Sequence, residues 1–395
     1  MRFLLLILFF TLTNAQAQNI FPAIGLWREH APYQSTIDVT ASAKKIYAAT
    51  PYNLFSVDIA SKEIERISKV AGLSETGIST IKYDALSQKL FVAYTNSNID
   101  VLDAKGIHNI PGLKRATLAG DKNVYHIYPD NQIVYLSTGI GIVVLDADKF
   151  EIKETWLIGN NGGFLKTSGF TKHGNFFYAA TDVGLKRTAA SGGNPANFIN
   201  WQNVSGINGL AAAPCKAVVN FQNKLIALQN DSLFVQNGNS WSLFFANDFP
   251  IININVSENE LIVAQRKPTG ESKVVVLSAN ASVNRVLQQP TVISFPKNGI
   301  AIGNQYWIAD AFGGLSEWNG NAFEVYKPNS PNDVMLGQML VYNNILYATA
   351  GTVNDAWNYQ YNRSGFVRFA NDEWDAINAF RFPQLDTLLD FITIA

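Results

Sequence analysis

A single cysteine, Cys215, stands in a chain of 395 residues. That excludes an internal disulfide, so packing alone must hold the fold. Cys215 itself reads as a small buried apolar residue. Charge is scarce as well: Asp, Glu, Lys and Arg make up 15% of the chain, where about 25% is usual. Lys and Arg number 30 against 31 Asp and Glu, which leaves no basic field to attract nucleic acid or an anionic membrane. The histidines, His30, His108, His126 and His173, form no HxxxH or HExxH pair and no Cys/His cluster, so no metal and no cofactor is expected. Asp146-Ala147-Asp148 is a fragment of a calcium loop that lacks the following Gly and the distal Glu. Gly139-x-Gly141 opens a second β-type run, not a helix, and is no nucleotide fingerprint. There is no GxSxG elbow. No segment sustains a 3.6-residue period with helical caps, and after the first residues no apolar run is long enough to span a bilayer. Nothing here argues for an enzyme, and no catalytic residue is assigned.

What is present starts with an address. Residues 1–17 have a basic start at Arg2, an apolar run over residues 3–12 and the small-x-small triplet Ala15-Gln16-Ala17. They read as a signal peptide cleaved before Gln18, which implies an exported protein. No cysteine follows the cut, so a bacterial lipid anchor there is not expected.

The rest is repetition. Residues 135–146 read YLSTGIGIVVLD, two short β-type runs about a glycine turn closed by Asp146. Variants of this phrase begin near Ile46, Leu90, Val134, Phe177, Leu225, Leu261, Tyr306 and Leu346, roughly 36 to 48 residues apart. That period is typical of a four-stranded propeller blade. Val, Ile, Tyr, Phe and Thr fill the runs, which disfavours a helical solenoid. One unit shows four strands in turn: residues 78–84 (ISTIKYD), 90–95, 98–103 and 106–111. Small residues in the second strand, such as Ala48, Ala93 and Ala179, suit close packing between blades, and those strands are expected to be the most buried. The fold expected is an all-β propeller of four-stranded blades over residues 18–387. Eight phrases do not equal seven blades. The preferred reading is a seven-bladed ring plus one phrase belonging to an incomplete second propeller; an eight-bladed ring is the alternative. Residues 388–395 (LLDFITIA) resemble residues 78–85 and are expected to form the first strand of a further, truncated blade, as in a piece of a longer protein.

The phrase near Leu346 is interrupted by residues 351–364, which concentrate Trp357, Tyr359 and Tyr361. Insertions on propeller rims carry specific surfaces, and aromatic rings stack on sugar faces. These three are the candidate ligand-binding residues. For the remaining tryptophans, Trp27, Trp156, Trp201, Trp241, Trp307, Trp318 and Trp374, packing is the expected role.

Residues 72–103 resemble the repeat of two-component-regulator-type propellers, with Thr76-Gly77 and Asn98-Ile99 as departures. Residues 27–33 (WREHAPY), 47–50 (YAAT), 64–69 (IERISK), 96–100 (NSNID), 109–111 (NIP), 135–146 and 179–184 (AATDVG) are similar to the PorZ-like family of the type IX secretion system of Bacteroidetes. The resemblance implies a non-enzymatic protein at the outer-membrane surface or beyond it. There it supports an attachment complex with PorU-, PorV- and PorQ-like partners, in which PorU removes cargo sorting signals and cargo joins anionic lipopolysaccharide. It also implies two propellers and a C-terminal β-sandwich in the full-length relatives. The alternatives are the periplasmic ligand-sensing propeller of a hybrid two-component regulator and a propeller lyase or glycosidase, which would need clustered carboxylates and His around the channel mouth.

Overall fold

The computed structural model describes residues 27–379 and 381–394. The expected leader, residues 1–17, lies outside them. The chain folds into eight four-stranded antiparallel sheets, each built of consecutive strands paired in sequence order. They cover residues 38–67, 78–110, 124–156, 167–203, 215–245, 251–287, 296–326 and 339–377. Every phrase start read from the sequence falls on the second residue of a second strand: Ile46 in Lys45–Ala49, Leu90 in Lys89–Tyr94, Val134 in Ile133–Thr138, and so on to Leu346 in Ile345–Thr349. In the second sheet this strand is buried along its whole length. Ala48, Ala93 and Ala179 are fully buried, since any larger side chain would push adjacent sheets apart.

The first seven sheets form a closed circuit. Each adjoining pair shares an apolar cluster, and the seventh sheet returns to the first through Tyr33, Phe55, Val57, Trp307 and Leu315. A blade that is apolar on both faces buries both only between two neighbours, and ring closure also removes exposed edges. Polar ties fix the closure. Asn298 Nδ2 donates to Asp38 Oδ1 at 2.6 Å, and Thr36 N donates to the Asp310 carbonyl at 3.1 Å. Lys62, from the first sheet, reaches Glu317 of the seventh at 2.7 Å and lies over the Trp307 ring. Tyr326 donates to the same Glu317 carboxylate at 2.9 Å.

None of these clusters contains a residue of the eighth sheet, which lies outside the circuit. It is tied to the ring by paired bonds between Asn329 and the Trp374 backbone. The chain start adds Trp374 Nε1 donating to His30 Nδ1 at 3.0 Å and the Arg28–Asp372 ion pair at 2.6 Å.

The tail departs from the sequence reading. Over residues 388–394 no strand forms among the described residues. The segment folds back on the eighth sheet, where the Phe391 and Ile392 carbonyls accept from Gly351 N and Gln338 N. Its backbone groups find partners at a sheet end, so it extends no ladder.

Turn chemistry explains the phrase at 135–146. Gly141 has φ +137, and a Cβ there would meet the Trp156 carbonyl oxygen at 2.2 Å. Gly139 has no such φ; it is small because Asp121 approaches, 2.5 Å from where a Cβ would stand. Asp146 Oδ1 accepts from Asp148 N and Lys149 N, so its carboxylate ends the hairpin.

Candidate functional site: the central channel and the aromatic insertion

The inner strands of the ring are Asp38–Ala41, Ile78–Asp84, Val124–Asp130, Thr167–His173, Cys215–Phe221, Ile251–Ser257 and Pro296–Ile302. Six of the seven carry a register shift near their start. The broken alternation of ISTIKYD is one of these: Ser79 is the extra residue of a β-bulge. Bulges re-aim side chains and sharpen strand twist, and here they turn polar groups toward the axis. Side chains then stitch neighbouring inner strands together. Asn253 and Asn255 donate to the Lys297 and Gly299 carbonyls, Ser168 to the Cys215 carbonyl, and Thr80 Oγ1 and Ile81 N to Asp38 Oδ2.

Two cavities, of about 190 and 230 Å³, lie along this wall. Both are lined by Lys82, His126, Ile127, Val218 and Asn255. The carboxylates lining them are committed to the fold. Asp38 accepts from Val39 N, Asn298, Thr80 and Ile81 N, and Asp84 closes its own turn through Leu86 N and Ser87. Burial pushes Lys82 down from its ordinary value, against the pull of Asp38 and Asp84. Burial and the Lys82 charge push His126 down to about 4. Neither residue was singled out by sequence reasoning. Lys82 read as an ordinary polar alternation and His126 as one of several scattered histidines; only ring closure brings them to one wall.

The expected ligand residues stand elsewhere. Residues 351–364 form a loop organised on Asn354, whose Oδ1 accepts from Ala356 N and Asn358 N. Asp390 pins its far end by accepting from Tyr361 N and Asn362 N, each at 2.8 Å. Trp357, Tyr359 and Tyr361 are 83%, 65% and 72% exposed. Among the described residues no ring–ring contact joins them, so they share a loop without forming one stacked platform. A groove of about 1310 Å³ is lined by Tyr52, Phe312 and Lys327 on the ring side and by Ser364, Ala376 and Arg381 in and beside the eighth sheet. Most other tryptophans do pack: Trp156, Trp201, Trp241 and Trp307 are buried between sheets. Trp27 is exposed instead. Cys215 is buried and its thiol is pushed up to about 12, which makes it unreactive.

Residues 46–202 match the family model described as the type IX secretion system PorZ N-terminal β-propeller domain. Among solved structures, the chain is similar to PorZ of Porphyromonas gingivalis, described as an essential bacterial surface component of the type IX secretion system. The identity is 20% and the TM-score 0.77, over 91% of this chain and 47% of that one. The chain thus spans about half the length of that relative. A chain of the mitotic checkpoint complex is similar at 13% identity and a TM-score of 0.53, over 79% of this chain and 98% of that one. A comparison with curated proteins gives no match. Among the described residues no helix is long and apolar enough to cross a membrane. Over residues 46–202, and in its propeller architecture, this chain is similar to the N-terminal propeller of that secretion component.

Proposed function

We propose that this chain is a non-enzymatic, cell-surface propeller that supports the type IX attachment complex by binding partners or glycan. The observation that carries the reading is the match of residues 46–202 to the PorZ N-terminal propeller. The channel supports it too, because the carboxylates Asp38 and Asp84 are spent on strand and turn hydrogen bonds rather than paired for acid–base work. By the same resemblance the partners are PorU-, PorV- and PorQ-like proteins and anionic lipopolysaccharide, met on the outer face of the outer membrane after export. The contact surface is the 351–364 insertion, where three aromatic side chains stand in solvent. Single ring–sugar contacts are weak, so a multivalent partner is required.

The test is retention of a PorU-like protein or of lipopolysaccharide on the immobilised full-length protein. Joint replacement of Trp357, Tyr359 and Tyr361 by alanine is expected to weaken retention by about tenfold or more, a factor equal to about 1.4 kcal/mol. Retention of neither ligand, together with turnover of a glycan substrate by the purified protein, would replace the scaffold reading with the glycosidase one.

A further inference from the structure

The channel wall is almost wholly self-satisfied. Asn253, Asn255 and Asn298 donate to backbone or to Asp38. Ser79 and Ser168 donate to carbonyls, and Lys216 pairs with Asp231 at 2.7 Å. Among the residues that line both cavities, two groups break the pattern. The Lys82 ammonium has no hydrogen bond or ion pair among the described residues, although Asp38 and Asp84 lie close enough to act on its charge. Their oxygens are already taken by Thr80, Ile81 N, Asn298 and Ser87. The buried Nδ1 of His126 is also without a partner, and it feels the Lys82 charge. Lys82 and His126 are among the residues that line both cavities.

We propose that Lys82 and His126 form a binding site for a small oxyanion, a carboxylate or a phosphate, inside the propeller channel. A half-buried ammonium that has no protein partner offers its charge and its donors to an anion, which supplies both the opposite charge and the acceptors. Imidazole contributes an N–H beside it. The cavities are of a size for a compact anion rather than a polymer. Lys82 comes from the second sheet and His126 from the third, so an occupant bridges two blades and braces the ring from within. An anion beside them would raise the protonation of both groups, against the burial that lowers it. This site is independent of the insertion on the eighth sheet, and its failure would leave the scaffold reading untouched.

The experiment is thermal unfolding of the full chain in inorganic phosphate, in acetate and in chloride at matched ionic strength, for the native protein and for Lys82→Met. Ligand that binds only the folded state raises Tm in a saturable manner. The native protein is expected to show that rise in phosphate or acetate over chloride, and the better of the two names the oxyanion. Lys82→Met is expected to lose the rise, because the ammonium that would hold the anion is gone. An equal rise in both proteins, or no rise in the native protein, overturns the proposal. Should the variant fail to fold, the imidazole NMR signals of His126 in the native protein decide: displacement on adding phosphate or acetate supports the site, and unchanged signals overturn it.

Discussion

The seventh and eighth sheets carry the same phrase and the same strand order, yet they are packed differently. In the seventh, Trp307, Ile308, Ala309 and Leu315 are fully buried, because the sixth sheet covers one face and the first covers the other. In the eighth, Met339, Val341 and Tyr342 of the inner strand stand in solvent, while Ala348 and Val367 are buried. Local sequence made both four-stranded. Neighbours on both sides, not composition, turned one of them into core.

The first way to break this comparison is to truncate each region. Phe91→Ala, in the fully buried second strand of the ring, should cost about 3–5 kcal/mol in denaturant unfolding. Val341→Ala, on the open face of the eighth sheet, should stay within about 0.5 kcal/mol. Equal losses would mean that the eighth sheet is as well packed as the ring.

Charge pairs sharpen the same contrast. Glu317 is buried and depends on Lys62, whose own side chain is partly exposed. Lys62→Met strands that carboxylate at the ring closure and should cost about 3 kcal/mol, the low end for a broken buried pair, since Tyr326 still donates to it. Arg363 pairs with Asp386 in solvent beside the eighth sheet, and Arg363→Met should change stability by less than about 1 kcal/mol. A small effect of Lys62→Met would show that the closure does not rest on this pair.

A further contrast is in pH. His126 is shifted from its ordinary 6.5 down to about 4 in the folded protein. Above pH 6.5 the residue is neutral folded and unfolded, and contributes no pH dependence. As pH falls from 6.5 to 4 the unfolded chain takes up a proton that the folded one refuses, so stability declines. Below about 4 both states are protonated and this group adds no further loss. His126→Gln should flatten unfolding free energy across that window, and an unchanged slope would place the titration elsewhere. Lys82→Met should move the same decline toward lower amplitude, because it removes the like charge that helps depress His126.

Much of the ring was legible before any coordinate. Val–Ile–Tyr runs about glycine turns mark hairpins, and the spacing of the phrase marks blades, because both depend on neighbours in sequence. The strand boundaries at Ile78–Asp84 and Gly106–Ile110 were read within a residue for that reason. The bulge at Ser79 was not legible in the sequence, where residues 78–84 read as an alternating strand, since a bulge is defined by the partner strand. The candidate aromatics Trp357, Tyr359 and Tyr361 were located in an exposed insertion from their sequence context, but their lack of mutual stacking depends on how Asn354 and Asp390 fold the loop.

The sequence by itself determined an all-β chain of four-stranded units, with hairpins set by Gly141, Asp146 and their equivalents and with small alanines where sheets press together. Only the tertiary structure decided which seven sheets close on one another and which stands outside. It alone folded residues 388–394 back on the eighth sheet and brought Lys82 and His126, 44 residues apart in sequence, to one cavity wall. The physical reason is the same throughout. Turns and strand propensity act over a few residues, whereas burial, ring closure and the desolvation of a charge depend on which distant strands become neighbours.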